Sequence, residues 1–260
     1  MAKMLTPLNQ AALKAEEFCK AEKEIRKTEA DYDRGLKQNL KKAFSENKMA
    51  LICLIILCII IVAAIFAPFC PQDPDNMDVM NKMAGPSAEH WFGTDELGRD
   101  SFTRVLYGSR VSLLVGFATM IVSVFAGTLV GAVSGYAGGK TDVLLMRIVD
   151  MFQSVPSLLM IIVIFSFVPN NMITLVLMLA LFSWTGVARI VRAQTLTLKE
   201  RDFVIASRAL GVGHARIIVR HIVPNMITQI IVAASLSIAG AILDESALSF
   251  LGYGVALPKS

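Results

Sequence analysis

The feature that most constrains this chain is a polar run, Arg189 to Asn225, held between two hydrophobic segments that are each long enough to cross a bilayer. The run carries seven Lys/Arg against two acids, a bias that places it on the cytoplasmic side of a membrane. Within it, KERDFVIASRALGVGHARIIVRHIVPN reads as a short helix, a glycine break and a second helix that feeds the next hydrophobic span. A membrane protein that builds an ordered helix in such a loop has something to dock there.

The hydrophobic share of 55% and the mean hydropathy of +0.59 exclude an ordinary soluble domain. The expected fold class is all-α: a polytopic bundle of five membrane helices in this chain, with its N-terminus cytoplasmic. The formal charge of +4 does not call for a nucleic-acid partner, because the basic residues lie in the N-terminal segment and in loops, where they set orientation. Cys19, Cys53, Cys58 and Cys70 form no Cys-x-x-Cys pair, so neither a disulfide framework nor a zinc site is expected.

Four regions follow. Residues 1–48 hold eleven Lys/Arg and eight Asp/Glu; Leu8, Ala11, Ala12, Ala15, Phe18 and Cys19 recur at helical spacing, which suits either a cytoplasmic amphipathic helix or a solvated tail. Residues 49–69 form an uncharged first span. Its exit, Ala67 to Pro71, lacks a small-x-small cleavage pattern, so it reads as an anchor. Residues 70–110 carry seven acids against four bases and are expected outside. Residues 111–260 hold the remaining spans and the 189–225 loop. In that core, span two (about Val111–Tyr136) places Gly127, Gly131 and Gly135 on one strip that another helix can approach closely. Span three (about Val143–Val168) is interrupted by Pro156. Spans four and five are expected at about Met172–Val187 and Met226–Leu251.

Several polar groups invite functional readings. SGYAGGKT, Ser134 to Thr141, is one residue from a phosphate-cradling loop, yet it joins two spans instead of a strand and a helix, so a tight turn is expected. His90, Asp95, Glu96 and Asp100 lack the spacing of a metal site; Gly93 and Gly98 suggest a folded turn, with Arg99 and Arg104 as partners for the acids. Arg147 and Asp150, three residues apart on span three, are placed to neutralise each other. Asp244 and Glu245 near the outer end of span five have no basic neighbour in sequence, and either line a watery translocation path or pair with another subunit.

In the loop, Thr197 followed by Glu200 forms a capping box that predicts a helix from near Leu198, ended by Gly211 and Gly213 after about 13 residues, roughly 20 Å. Phe203, Ala206 and Leu210 fall on one stripe; Arg201, Asp202 and Arg208 turn elsewhere. A basic amphipathic helix can lie on lipid headgroups, but the thin stripe and the small residues Ala206, Ser207 and Ala209 suit a protein groove better.

RDFVIASRALG and RHIVPN resemble the cytoplasmic coupling loop of binding-protein-dependent ABC transporter permeases, with Ala206 at the first alanine of the Glu-Ala-Ala-x-x-x-Gly pattern, Gly211 at its glycine and Pro224 at the later proline. Ile205, Ser207, His221 and Val223 depart from it in the manner of the dipeptide/oligopeptide/nickel subgroup, which also has counterparts of HWFGTDELGRDSFTRVLYGSRVSLLVG and ALSFLGYGV. The resemblance implies a permease half in a bacterial or archaeal plasma membrane that pairs with a second, similar permease subunit. Its helix from Arg201 to Leu210, closed by Gly211, would sit in a cytoplasmic ABC ATPase, and an extracytoplasmic substrate-binding protein would deliver peptides, nickel or metal chelates. ATP would be bound by the ATPase; no cofactor, metal or catalytic residue is expected in this chain, which is not an enzyme. Spans four and five would carry the motion of the docked helix. The family usually continues past Leu-Ser-Phe-Leu-Gly into a sixth span, whereas this sequence stops at Ser260, either as a fragment or as a chain with incomplete packing around span five.

Two other classes fit less well. An ATP-independent secondary transporter or channel would call for internal repeats or broken helices with coordinating groups at mid-membrane, and Pro156 is the one interior break. A membrane-embedded hydrolase would need a catalytic pair at membrane depth, and none is evident.

Overall fold

A computed structural model describes residues 47–254 except 71, 75 and 170. The N-terminal segment through residue 46 and the last residues from Val255 to Ser260 lie outside the described residues, and with them the expected N-terminal helix. Among the described residues the structure is helical, with no strand and one isolated bridge between Thr94 and Asp100.

The order is α1 (Lys48–Phe66), two 3₁₀ turns (Ala67–Phe69 and Val79–Asn81), α2 (Ser101–Ala137), α3 (Gly139–Gln153), α4 (Ser157–Phe165), α5 (Met172–Leu198), α6 (Asp202–Ala209) and α7 (His214–Ile217). A π-helical turn (Ile218–Ile222) then leads into α8 (Val223–Asn225) and α9 (Ile227–Phe250). Among the described residues, four helices are long and apolar enough to cross a membrane, and α3 with α4, bent by 71° at Pro156, makes a fifth if taken as one broken span. An all-α polytopic membrane bundle is therefore what these residues build. At the break, Pro156 cannot donate a backbone hydrogen bond and pushes the preceding residue away from helical geometry.

Two helices are longer than expected. Helix α2 begins at Ser101, ten residues before Val111, because Asp100 caps it by accepting from the Thr103 N–H at 2.8 Å. Its 37 residues span about 55 Å at 1.5 Å each, well beyond a hydrocarbon core of about 30 Å. Helix α5, capped by Asn171 on the Thr174 N–H at 2.9 Å, runs on to Leu198 and does not stop near Val187. Its extension is packed: Val187, Ala188, Val191 and Thr195 are all buried.

The packing of α2 on α5 explains that extension. A Cβ added to Gly127 would come within 2.7 Å of the Trp184 carbonyl oxygen, and one on Gly135 within 2.9 Å of the Arg192 carbonyl oxygen, while one on Gly131 would meet the Ala188 carbonyl. Three glycines four residues apart thus face three carbonyls four residues apart, and the two backbones touch over that stretch. Such spacing places Cα hydrogens against carbonyl oxygens, a weak attraction that recurs in helix pairs of this kind.

Ion pairs tie α3 to the same pair of helices. Arg192 donates from Nε and Nη2 to the two oxygens of Asp142, both at 2.6 Å, and the Ser134 hydroxyl also donates to Asp142. Asp150 pairs with Arg189 at 2.6 Å, not with Arg147 as the sequence spacing suggests; Arg147 is exposed. A residue three positions along a helix can be a neighbour, but the guanidinium of a packed helix offers the straighter contact. The turn between α2 and α3 is tight as expected, with Gly138 and Gly139 at φ of +65° and +53°.

Among the described residues, most of the larger buried apolar side chains fall into two clusters. One, toward the C-terminal end of α2, joins Ala132 and Tyr136 to Val187, Val191, Val204, Ile217, Ile222, Met226 and Ile230. The other joins Val115 to Ile161, Phe165, Leu175, Leu179 and Leu248, where the Tyr253 ring lies nearly parallel to that of Phe165 at 6.5 Å.

Candidate docking site

Helix α6 is short and strongly oriented. Val204 is 0% exposed and belongs to the first cluster, whereas Phe203 is 39% and Leu210 is 83% exposed. One side chain anchors the helix, and the stripe of Phe203, Ala206 and Leu210 faces outward with Ile205 beside it. Arg201, Asp202, Arg208 and Ala209 are also exposed, and Ser207 is half-buried, its hydroxyl donating back to the Phe203 carbonyl at 2.7 Å.

The start of this helix differs from the expectation. It begins at Asp202, not near Leu198, and has eight residues, not about 13. Thr197 lies inside α5, where its hydroxyl donates to the Ala193 carbonyl at 3.3 Å, so it caps nothing. The competing backbone bond is available because packing against the α2 glycines keeps α5 helical past that point. Arg201 occupies the N-cap without a side-chain hydrogen bond.

Its end is as the sequence indicates. Gly211 has φ +76°, its N–H bonds the Arg208 carbonyl at 3.0 Å, and the Val212 N–H bonds the Ser207 carbonyl at 3.1 Å. This is the paired closure of a Schellman motif, which needs a left-handed residue after the C-cap. Helix α7 follows after Gly213, with Ile217 fully buried. The π-helical turn then accommodates Pro224, which lacks an N–H, and the Asn225 amide donates to the His221 carbonyl at 2.6 Å.

Three residues that sequence reasoning passed over hold the loop in place. Tyr136, near the end of α2, lies under the Arg208 guanidinium at 5.3 Å from ring centroid to Cζ, and its hydroxyl is 3.1 Å from His214 Nδ1. Val204 supplies the apolar anchor. The only hint in the sequence was the position of Tyr136 directly after Gly135, at the end of the glycine strip.

Elsewhere, both carboxylate oxygens of Glu245, which is 5% exposed, accept hydrogen bonds at 2.9 Å, one from Ser112 on α2 and one from Ser249. This chain thus supplies its partners, where the sequence pointed to water or another subunit; Asp244 beside it is half-buried. In the segment before α2, Asp95 takes Arg99 and Arg104 as partners, with Arg99 Nε at 2.8 Å. Burial acts to raise the Asp95 pKa. Hydrogen bonds from the Arg99 and Leu97 N–H groups and from the Arg99 and Arg104 side chains outweigh it, and lower the carboxyl from 3.8 to about 2. Asp100 is also held below the usual range: burial opposes this, while the Thr103 N–H and hydroxyl and His90 favour it.

Residues 127–259 match the family described as the binding-protein-dependent transport system inner membrane component, and residues 37–86 match the N-terminal TM domain of oligopeptide transport permease C. The chain belongs to this family of transport permeases. The permease is 44% identical over 230 residues to the oligopeptide transport system permease protein OppC of Haemophilus influenzae, covering 87% of this chain and 74% of that one. It is 42% identical over 180 residues to the OppC protein of Bacillus subtilis, and 43% identical over 173 residues to the dipeptide transport system permease protein DppC of the same organism. Those two matches cover 69% and 66% of this chain but 59% and 54% of the relatives' length. Members of the family are membrane permeases of transport systems, not enzymes.

Proposed function

We propose that this permease is a membrane-spanning subunit of an ATP-driven importer of peptides, and that α6 is the element by which it docks on a cytoplasmic ABC ATPase. The observation that carries this reading is the asymmetry of α6: a fully buried Val204 on one side and the exposed Phe203, Ile205 and Leu210 on the other. A helix anchored by one residue and closed by a Schellman turn presents a rigid face, which is what a cleft on another protein requires. The seven Lys/Arg of the 189–225 loop favour its cytoplasmic placement. Peptides are the favoured cargo because the relatives named above are oligopeptide and dipeptide permeases. A second permease subunit would complete the path, an extracytoplasmic binding protein would deliver cargo, and ATP would be bound and hydrolysed on the ATPase.

The chain's own residues supply the mechanical part. Closure of the ATPases would move α6, and the helices joined to its cluster would follow as packed bodies. The test uses the full-length permease with its partner subunits in proteoliposomes. Ala209→Cys should crosslink to the ATPase. Gly211→Val, which places a β-branched residue at a φ costing roughly 1–2 kcal/mol, should lower peptide uptake about fivefold or more while insertion is retained. Absence of the crosslink, or uptake that persists when ATP is depleted, would overturn the reading.

A further inference from the structure

We infer that Tyr136 is a positioning residue which passes displacement of α6 into α2, so that the α2–α5 pair moves with the docked helix. The inference rests on the docking reading above and adds a route that chain connectivity does not provide.

By connectivity alone, α6 would drive α5 through Lys199–Arg201 and α9 through α7, the π-helical turn and α8. Helix α2 has no covalent link to the loop. Yet Tyr136, the penultimate residue of α2, bridges the break at Gly211: its ring meets Arg208 from α6 and its hydroxyl meets His214, the first residue of α7. The Tyr136 and His214 rings are 5.6 Å apart and inclined at 57°, so face, edge and hydroxyl of one buried side chain contact both arms of the turn. One rigid ring with two torsions fixes the angle between those arms at little entropic cost.

The other end of the route is as firm. Gly135, adjacent to Tyr136, packs against Thr195 of α5, and its carbonyl accepts a hydrogen bond from Lys199 Nζ at 3.2 Å. Ala132, one turn earlier, lies in the same cluster as Val204 and Ile217. A push on Tyr136 therefore meets a helix pair in backbone contact from Gly127 to Gly135, just over two turns, which transmits a displacement without deforming. Without the ring, α6 is left on its apolar anchor Val204 and can tilt about it on Lys199–Arg201, so that α2 follows it less.

The experiment measures peptides imported per ATP hydrolysed in the reconstituted transporter, beside the rate of ATP hydrolysis. Tyr136→Phe keeps the ring under Arg208 and loses the bond to His214; Tyr136→Leu loses both and keeps an apolar side chain. With cation–π contacts of the order expected for a partly desolvated ring, the peptide-to-ATP ratio should fall about tenfold in Tyr136→Leu and about threefold in Tyr136→Phe. ATP hydrolysis and the Ala209→Cys crosslink should persist in both. A purely structural role would lower assembly and hydrolysis together and leave the ratio unchanged, which would overturn the inference. Arg208→Met gives a second measurement that spares the core: its loss should not add to that of Tyr136→Phe beyond the Tyr136→Leu value if the ring and the guanidinium act as one contact. An unchanged ratio in Arg208→Met would also overturn it. Loss of the crosslink in the otherwise unaltered protein would instead remove the docking reading, so the two failures are distinguishable.

Discussion

The segment before α2 and the loop after α5 are both irregular connections built from polar sequence, yet they are held by opposite means. Between Asp78 and Asp100 the chain is fastened by charge, by a side-chain hydrogen bond and by backbone: Asp95 with two arginines, the His90 ring with Asp100 at 3.1 Å, and Gly98 lying directly on the Asp78 backbone. Between Asp202 and Met226 it is fastened by apolar side chains, Val204, Ile217, Ile222 and Met226, all 0% exposed. Charge fixes a turn without needing a core. Burial fixes one face of a helix and leaves the other free for a partner. The contrast separates a self-contained turn from a surface mounted on the bundle.

The largest effect should come from Gly98→Ala. Gly98 has φ +78°, and an added Cβ would overlap the Asp78 carbonyl, so left-handed strain and displaced backbone together should cost about 3 kcal/mol or more. Limited proteolysis should show cleavage before α2 and none in the loop after α5; equal protection of both segments would break the contrast. Val204→Ala should cost about 2 kcal/mol by opening a gap in the cluster, and hydrogen exchange should rise in α6 while the segment before α2 is unaffected.

Acid should discriminate the two regions most gently. Because the folded Asp95 pKa is depressed, its contribution is fully present above its ordinary 3.8 and is lost as pH falls through about 2. Fluorescence of Trp91, whose ring lies 5.0 Å from that of Phe102, should report that loss between about pH 4 and about pH 2. Asp95→Asn should reduce the titration to the part that Asp100, also held below the usual range, contributes, and the protection of α6 amides against exchange should show no change over the same range. High salt should weaken the Asp95 network by screening and spare the Val204 anchor.

Much of this architecture is legible in the sequence alone, for a local reason. Uncharged runs announce spans, Pro156 announces a break, and Gly211 announces a left-handed stop. The strip of Gly127, Gly131 and Gly135 announced a close approach without naming its partner. What was misread depended on neighbours distant in sequence. Thr197 and Glu200 make a sound capping box, and it lost to a helix that packing carried further. Asp150 had a partner three residues away and took Arg189 instead. Tyr136 carried no motif, and its place under Arg208 follows from how α2, α6 and α7 converge.

The sequence by itself determined the helical class, the number of apolar spans within one, and the residue at which α6 stops, because hydropathy and glycine conformational freedom act over a few residues. Only the tertiary structure decided where α5 ends, that Asp150 meets Arg189 and not Arg147, and that Val204 is the side of α6 turned inward. Those outcomes depend on which surfaces are buried against one another, and burial is a property of the assembled helices, not of any one of them.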